Sequence, residues 1–474
     1  MLKSHHILQN YFLFFIRLFL LACLINIFGW LKGVLLFLFS LQTYDFFLQK
    51  FFDLESLSPT DFNFVGWEGE RQYNLVFGMI LEGKNKNGMK KLFYDKGIKF
   101  FKRLRQKLTF SLGNYYLKEF PEEEALNQVF LVENNIRTNE EFDDFRTEIT
   151  KAPFGREQHL FKVYIGENDL DQTFMILQFD HLLGDGMALN CLISRLTDDF
   201  DVKNFPPIPE KSKLQKFKNK VIAPFYALHI TAMMFFNKTP MTPFKLVKPV
   251  SGVKVSVKSP EYCFKRIRVA TKKLNVTFND YFLGIVTAAA KKYSRDNNYH
   301  SADSLKCLIP MNLRPHPKFE KDLVMSNESS GVGLNLEFID NPVEDIKKIS
   351  ATTKIYIKNH IYCEAVNFLN LFSNIFLPFF FSKQIIIQAT KNFDFVISNL
   401  PGSPVPIKIG GMLMKNLYTF PNSGPHGCFI ACLTFMNKLS VNLVVDKSTN
   451  CNAKEFIKYI DNEITVSLEN LKIE

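Results

Sequence analysis

The sequence lacks any CxxC pair among its eight cysteines, and no cluster of Cys and His has zinc-ligand spacing, so no metal site is expected. Cys23, Cys191, Cys263, Cys307, Cys363, Cys428, Cys432 and Cys451 lie mostly in apolar runs and read as small buried hydrophobes. Without the spacing of a disulfide framework they favour a reducing compartment. Tryptophan is scarce, two residues against 50 phenylalanines, a bias from which alone no function is read. Glycine (22) and proline (21) are too few in 474 residues for collagen or a low-complexity chain. With 22% charged and 47% apolar residues the chain is not disordered. Acidic residues are in deficit, 47 against 58 basic, leaving a net charge of +11. The length corresponds to about two to four structural units and is ample for a large core. The sequons at Asn237, Asn275 and Asn327 say little about secretion, because such triplets arise by chance.

A long apolar run is present at the N-terminus. Tyr11 to Leu41 is nearly uninterrupted, with Arg17 and Lys32 bracketing its centre. A spanning helix needs about 20 mostly apolar residues, so one tilted span or a hairpin broken near Gly29–Gly33 fits. A signal peptide would have a shorter apolar core and small residues at a cleavage site, and Phe39-Ser40-Leu41 lacks that pattern. Lys3, His5, His6 and Arg17 precede the centre of the run while Asp45, Asp53 and Glu55 follow the run. One span would send the body across the membrane; a hairpin would return it to the cytoplasm. An endoplasmic reticulum or plasma membrane location with a cytoplasmic body is expected.

Residues 84–107 hold ten basic side chains against Asp95 alone. Within them KGIKFFKRLRQKL places Ile98, Phe101, Leu104 and Leu108 on one face of a presumed helix, suited to an anionic membrane surface or a polyphosphate. A solvated charged face is the plainer reading. No nucleic-acid recognition motif accompanies the charge, so nucleic acid is not expected as a partner.

Beyond this block, strand and helix patterns alternate. Leu160–Gly166 and Thr173–Phe179 read as paired strands, and Asp185–Phe200 as a helix. FPPIPEKSK (205–213) reads as a linker, and residues 221–248 as an interfacial connection broken by prolines. Tyr262–Val269 reads as a strand, Thr277–Tyr293 as a helix and Ser304–Ile309 as a strand. Ile361–Phe381 reads as a Phe-rich helical region, and Cys428–Phe435 and Leu439–Val445 as strands. The units expected are an N-terminal anchor (1–45), a first half (60–210), a connection (211–252) and a second half (253–474).

One of nine histidines stands apart. His181 ends an apolar strand in FMILQFDHLLGDGMALN, just before a helix. Gly184 and Gly186 allow tight turns, and Asp185 can cap the helix. Such a turn holds the imidazole rigidly, one nitrogen tied to local backbone and the other facing a cavity, as a general base requires. The plain alternative is a buried, hydrogen-bonded strand-end histidine. His5, His6, His159, His229, His300, His316, His360 and His426 have unremarkable settings.

DHLLGDG resembles the HHxxxDG signature of the CoA-dependent acyltransferase superfamily, and the closest resemblance is to its wax ester synthase/diacylglycerol acyltransferase family. FKRLRQKL, TFNDYFLGIVTAAAKKY, PMNLRP and SNLPGSPVPIKIGG resemble further segments of that family in the same order, over about residues 60–470. The resemblance implies an α+β fold of two chloramphenicol-acetyltransferase-like halves, with a central tunnel between them. It implies transfer of an acyl group from acyl-CoA to a lipid alcohol, without a permanently bound cofactor. His181 would be the base, at the floor of a channel open from two sides. Asp185 would turn away and pair with an arginine, Arg314 or Arg156, and Gly186 would keep the loop backbone clear of the channel. Asp180 stands where the family has its first histidine and would fill a structural position. Asn279 and Asp280 have two readings, a helix start or an active-site scaffold. Ser398 and Asn399 are candidate oxyanion donors. The residues that hold CoA are not identified. A catalytically silent lipid-binding or membrane-interaction protein on the same fold is the alternative.

Overall fold

The computed structural model describes residues 4–65, 73–132, 136, 141–142, 144–145, 148–149, 154, 159–202, 205, 212–236, 240–357, 360–421 and 424–473. The N-terminal apolar run continues beyond Leu41 and forms two helices, Ser4–Phe28 and Trp30–Phe52. Gly29 breaks them with φ 78°, a left-handed value that glycine adopts without a Cβ penalty. The helices then fold back on each other, since a Cβ on Gly33 would lie 2.6 Å from the Ile25 backbone. Both are long and apolar enough to cross a membrane by length and composition. Asn10 ties the hairpin to the body: its Nδ2 donates to Gly113 O (2.9 Å) and its Oδ1 accepts from Phe379 N (2.8 Å).

Two large sheets form the body. The first runs Lys408–Ile409, Met412–Pro421, Asn74–Glu82, Gln172–Asp180, Phe161–Asn168, Val129–Leu131. The second runs Ser329–Glu337, Ser304–Asn312, Phe395–Pro401, Cys428–Phe435, Lys438–Asp446, Lys254–Lys258. Central strands such as Gln172–Asp180 are buried on both faces, which explains their continuous apolar runs. The division expected at residue 253 is therefore crossed: Met412–Pro421, from the second half of the chain, pairs antiparallel with Asn74–Glu82 in the first sheet. Helix Phe278–Asp296 covers the second sheet with Ala288, Ala289 and Ala290 fully buried. Beside it Phe244, Phe395 and Phe456 pack ring on ring, each contributing about 3–5 kcal/mol against truncation to alanine.

Two expected elements differ. Tyr262–Val269 is a strand only at Tyr262–Cys263; helix Phe264–Leu274 follows, burying Ile267, Ala270 and Thr271 at helical spacing. The basic amphipathic helix does not form. Lys86–Leu92 is helical, Phe93–Ile98 a wide π-type turn, Lys102–Arg105 a tight 3-10 turn and Gln106–Ser111 a strand. Ile98, Phe101 and Leu104 are buried, but as a three-residue repeat through these turns. Part of the charge is neutralised internally by Lys99–Asp95, Lys102–Glu55, Arg103–Asp61 and Arg105–Glu119. The 221–248 connection begins as helix Lys213–Phe236, with Pro224 inside it. Ile361–Phe381 is two helices, Ile361–Phe376 and Phe379–Thr390. Most of the 205–213 linker lies outside the described residues.

Candidate active site

Strand Gln172–Asp180 hands the chain to a single 3-10 turn, His181–Leu183. Asp180 caps that turn, its Oδ1 accepting from Leu182 N at 2.8 Å. The His181 amide donates to Tyr73 O at 2.8 Å, so the neighbouring strand fixes the backbone at the histidine. Asp185 then caps helix Gly186–Leu196, with Oδ1 accepting from Met187 N and Ala188 N at 3.0 Å each. A Cβ on Gly186 would collide with Leu400, a residue of strand Phe395–Pro401 in the other sheet.

The imidazole faces a cavity of about 980 Å³ between the sheets, at the upper end of the usual small-molecule range of about 300–1,000 Å³. Leu75 and Phe77 line it from one sheet and Ile309, Ile397 and Ala431 from the other. Helices Ile361–Phe376 and Phe379–Thr390 add Leu369, Phe372, Ile385 and Ile386. The wall is mainly apolar, with His181, His426, Asn279, Ser398 and Asn399 among its polar members.

His181 Nδ1 lies 3.2 Å from Asn327 Oδ1. The Asn327 amide Nδ2 donates to Asp61 Oδ1 (2.9 Å) and His181 O (2.8 Å), with Leu182 O further off at 3.3 Å. These three partners only accept, so the oxygen of Asn327 must face the ring. Nδ1 therefore carries the proton and Nε2 presents its lone pair. Asp61 is buried and paired with Arg103 Nη2 at 2.8 Å. Phe64 stacks on the imidazole at 3.8 Å and 9°, holding its plane. Burial pushes the His181 pKa below the ordinary 6.5, against the opposing pull of Asp185, Asn327 and Asp61. The ring is neutral at pH 7, the state a base needs.

Among the residues expected at the site, Arg314 takes Asp185: Nη1 sits 2.6 Å from Oδ1 in a buried pair. Arg314 Nη2 also holds Ser326 O, and Asp185 Oδ2 accepts from Glu328 N at 3.1 Å. Asp185 borders the cavity, but both of its oxygens are engaged in the protein. Arg156 lies outside the described residues. Asn279 and Asn399 meet, Asn399 Nδ2 donating to Asn279 Oδ1 at 2.9 Å, and both line the cavity with Ser398. Asp280 closes a capping box with Thr277 and holds Ser350 and Thr353, a helix-start role away from the cavity wall.

Several site residues carried no signal in the sequence. Asn327 attracted notice only as a sequon, and Asp61, Phe64 and Tyr73 not at all. His426 is buried in the cavity wall with Nε2 3.0 Å from Tyr73 OH; burial, helped by Lys254, pushes its pKa down to about 3.

A family model described as the WS/DGAT C-terminal domain matches residues 326–466. An O-acyltransferase WSD of Acinetobacter baylyi is 24% identical over 206 residues, 42% of this chain and 43% of that protein. The wax ester synthase/diacylglycerol acyltransferase 9 of Arabidopsis thaliana is 22% identical over 390 residues, 70% of this chain and 77% of its own length. This chain thus spans under half of the bacterial relative and about three quarters of the plant one. Among solved structures, the wax ester synthase/diacylglycerol acyltransferase from Marinobacter aquaeolei VT8 shares the fold. Its TM-score is 0.58 at 16% identity, over 87% of this chain and 98% of that one.

Proposed function

From its similarity to the wax ester synthase/diacylglycerol acyltransferase family we propose that the chain is a member of that family and a membrane-anchored O-acyltransferase. It esterifies a lipid alcohol, diacylglycerol or a long-chain alcohol, with the acyl group of acyl-CoA. The observation that carries this reading is His181 on the wall of a large apolar cavity, its tautomer dictated by Asn327.

The chemistry follows from that arrangement. Nε2 takes the proton of the acceptor hydroxyl as its oxygen attacks the thioester carbonyl. The C–O bond forms and the carbonyl oxygen becomes an oxyanion, for which Ser398 and Asn399 are the candidate donors. Collapse breaks the C–S bond, and the imidazolium returns the proton to the leaving thiolate. General-base assistance of this kind contributes about 10²–10⁴-fold. The stacked Phe64 face also favours the transient imidazolium. Apolar walls suit long acyl chains and a water-insoluble acceptor. The N-terminal helices suit an anchor; as a hairpin they would return the body to the cytoplasmic side with the basic N-terminus.

The silent-protein alternative drew its motive from Asp180, which lacks the family's first histidine. Capping of the His181 turn gives that carboxylate a structural task compatible with activity. The test is to supply labelled acyl-CoA with a panel of alcohols and identify the ester. A long-chain ester or triacylglycerol supports the proposal; no ester with any acceptor favours the silent reading.

A further inference from the structure

Helix Lys213–Phe236 has two opposite faces. Asn219, Ala223, Ala227 and Ile230 are buried, and Tyr226 meets Tyr362 of helix Ile361–Phe376 edge to face at 5.3 Å. Leu214, Phe217, Val221, Phe225 and Leu228 recur every three or four residues on the outer side. All five are exposed, Phe225 and Leu228 at 70% and 72%, and no described element covers them. The first turns carry Lys213, Lys216, Lys218 and Lys220, and the helix contains no acidic residue. None of these lysines makes an ion pair among the described residues. An apolar stripe with lysines at its start is the pattern of a helix lying in the headgroup layer of an anionic bilayer.

Its position supports that occupant over a protein partner. The N-terminal hairpin packs on helix Ile361–Phe376 through Phe37 and Phe376, ring centroids 6.3 Å apart. A bilayer receiving the hairpin would thus border the same helix that carries Lys213–Phe236. The cavity wall is thin there. Phe372 lines the cavity yet is 44% exposed, and Thr231 of the outer helix also reaches the cavity.

We propose that helix Lys213–Phe236 lies in the interface of an anionic bilayer, and that the lipid alcohol passes sideways from that bilayer into the cavity beside Phe372. The lateral route rests on the acyl-transfer reading; the docking of the helix does not.

Docking is tested on the full chain reconstituted into phosphatidylcholine vesicles containing phosphatidylserine. A nitrobenzoxadiazole label is placed at Phe225→Cys in a Cys263→Ser background, with the Cys263→Ser chain as blank. Nitroxide-labelled lipid should quench the label. Emission unchanged by nitroxide lipid overturns the docking, and a blue-shifted but unquenched label would show the face covered by a second copy instead. The route is tested with Phe217→Glu/Phe225→Glu/Leu228→Glu. The KM for a long-chain alcohol dispersed in vesicles should rise about tenfold, while transfer to a short water-soluble alcohol stays unchanged. Equal effects on both alcohols, or none, overturn the route. If the wild-type chain esterifies neither alcohol, the acyl-transfer reading fails and the route with it, while quenching still decides the docking.

Discussion

Asn327 holds His181 from 146 positions away in sequence, and through it the charge of Asp61 reaches the ring. The amide nitrogen is committed to acceptors, so its oxygen can only receive the imidazole proton. Asn327→Leu removes the bond that orders the ring and favours its charged form. We expect kcat to fall at least about tenfold and the acid limb of the pH–rate profile to move to lower pH. A merely structural defect would lower activity without moving that limb.

Asp185 and Arg314 are a buried pair, and breaking it leaves a charge uncompensated. Arg314→Met should cost about 3–5 kcal/mol of stability, read as a lower denaturant midpoint with unchanged slope. Asp185→Asn, which keeps one acceptor oxygen for the helix amides, should cost less than Asp185→Ala.

His426 gives a pH signature. Its folded pKa of about 3 lies below the ordinary 6.5, so the unfolded chain binds the extra proton between these values. The contribution is whole above pH 6.5 and is lost as pH falls toward 3. At pH 5 the loss is about 2 kcal/mol. Comparing denaturant midpoints at pH 7 and pH 5, His426→Phe should show a smaller drop than wild type.

Restoring the family's histidine at position 180 should not help. Asp180→His loses the cap on Leu182 N and adds a basic ring near buried Lys383, whose protonated form Asp180 favours. A stability loss of about 1–2 kcal/mol with no gain in transfer rate is expected. Faster transfer would mean that the carboxylate limits this chain.

The turn at His181 was legible because its determinants are contiguous: an apolar strand, a histidine, glycines and a capping aspartate between Gln172 and Gly186. Helix Phe278–Asp296 was legible for the same reason, through Thr277 and Asp280. Asn327, Asp61 and Tyr73 were not, because only the folded chain brings them around the ring, and His426 joins the site through Tyr73. Strand Met412–Pro421 joins the first sheet through a partner more than 300 residues away, which no local pattern encodes. Ile98, Phe101 and Leu104 misled because a spacing of three also arises where a wide π-type turn runs into a 3-10 turn. Arg314, by contrast, was one of two candidates because the family resemblance implies that the motif aspartate pairs with an arginine.

The most direct measurement is acyl transfer from labelled acyl-CoA by membranes carrying His181→Ala, compared with wild type at equal protein level. A fall of about 10²–10⁴-fold in ester formation, with the fold intact by circular dichroism, is what a general base at this position requires. Undiminished transfer would contradict it.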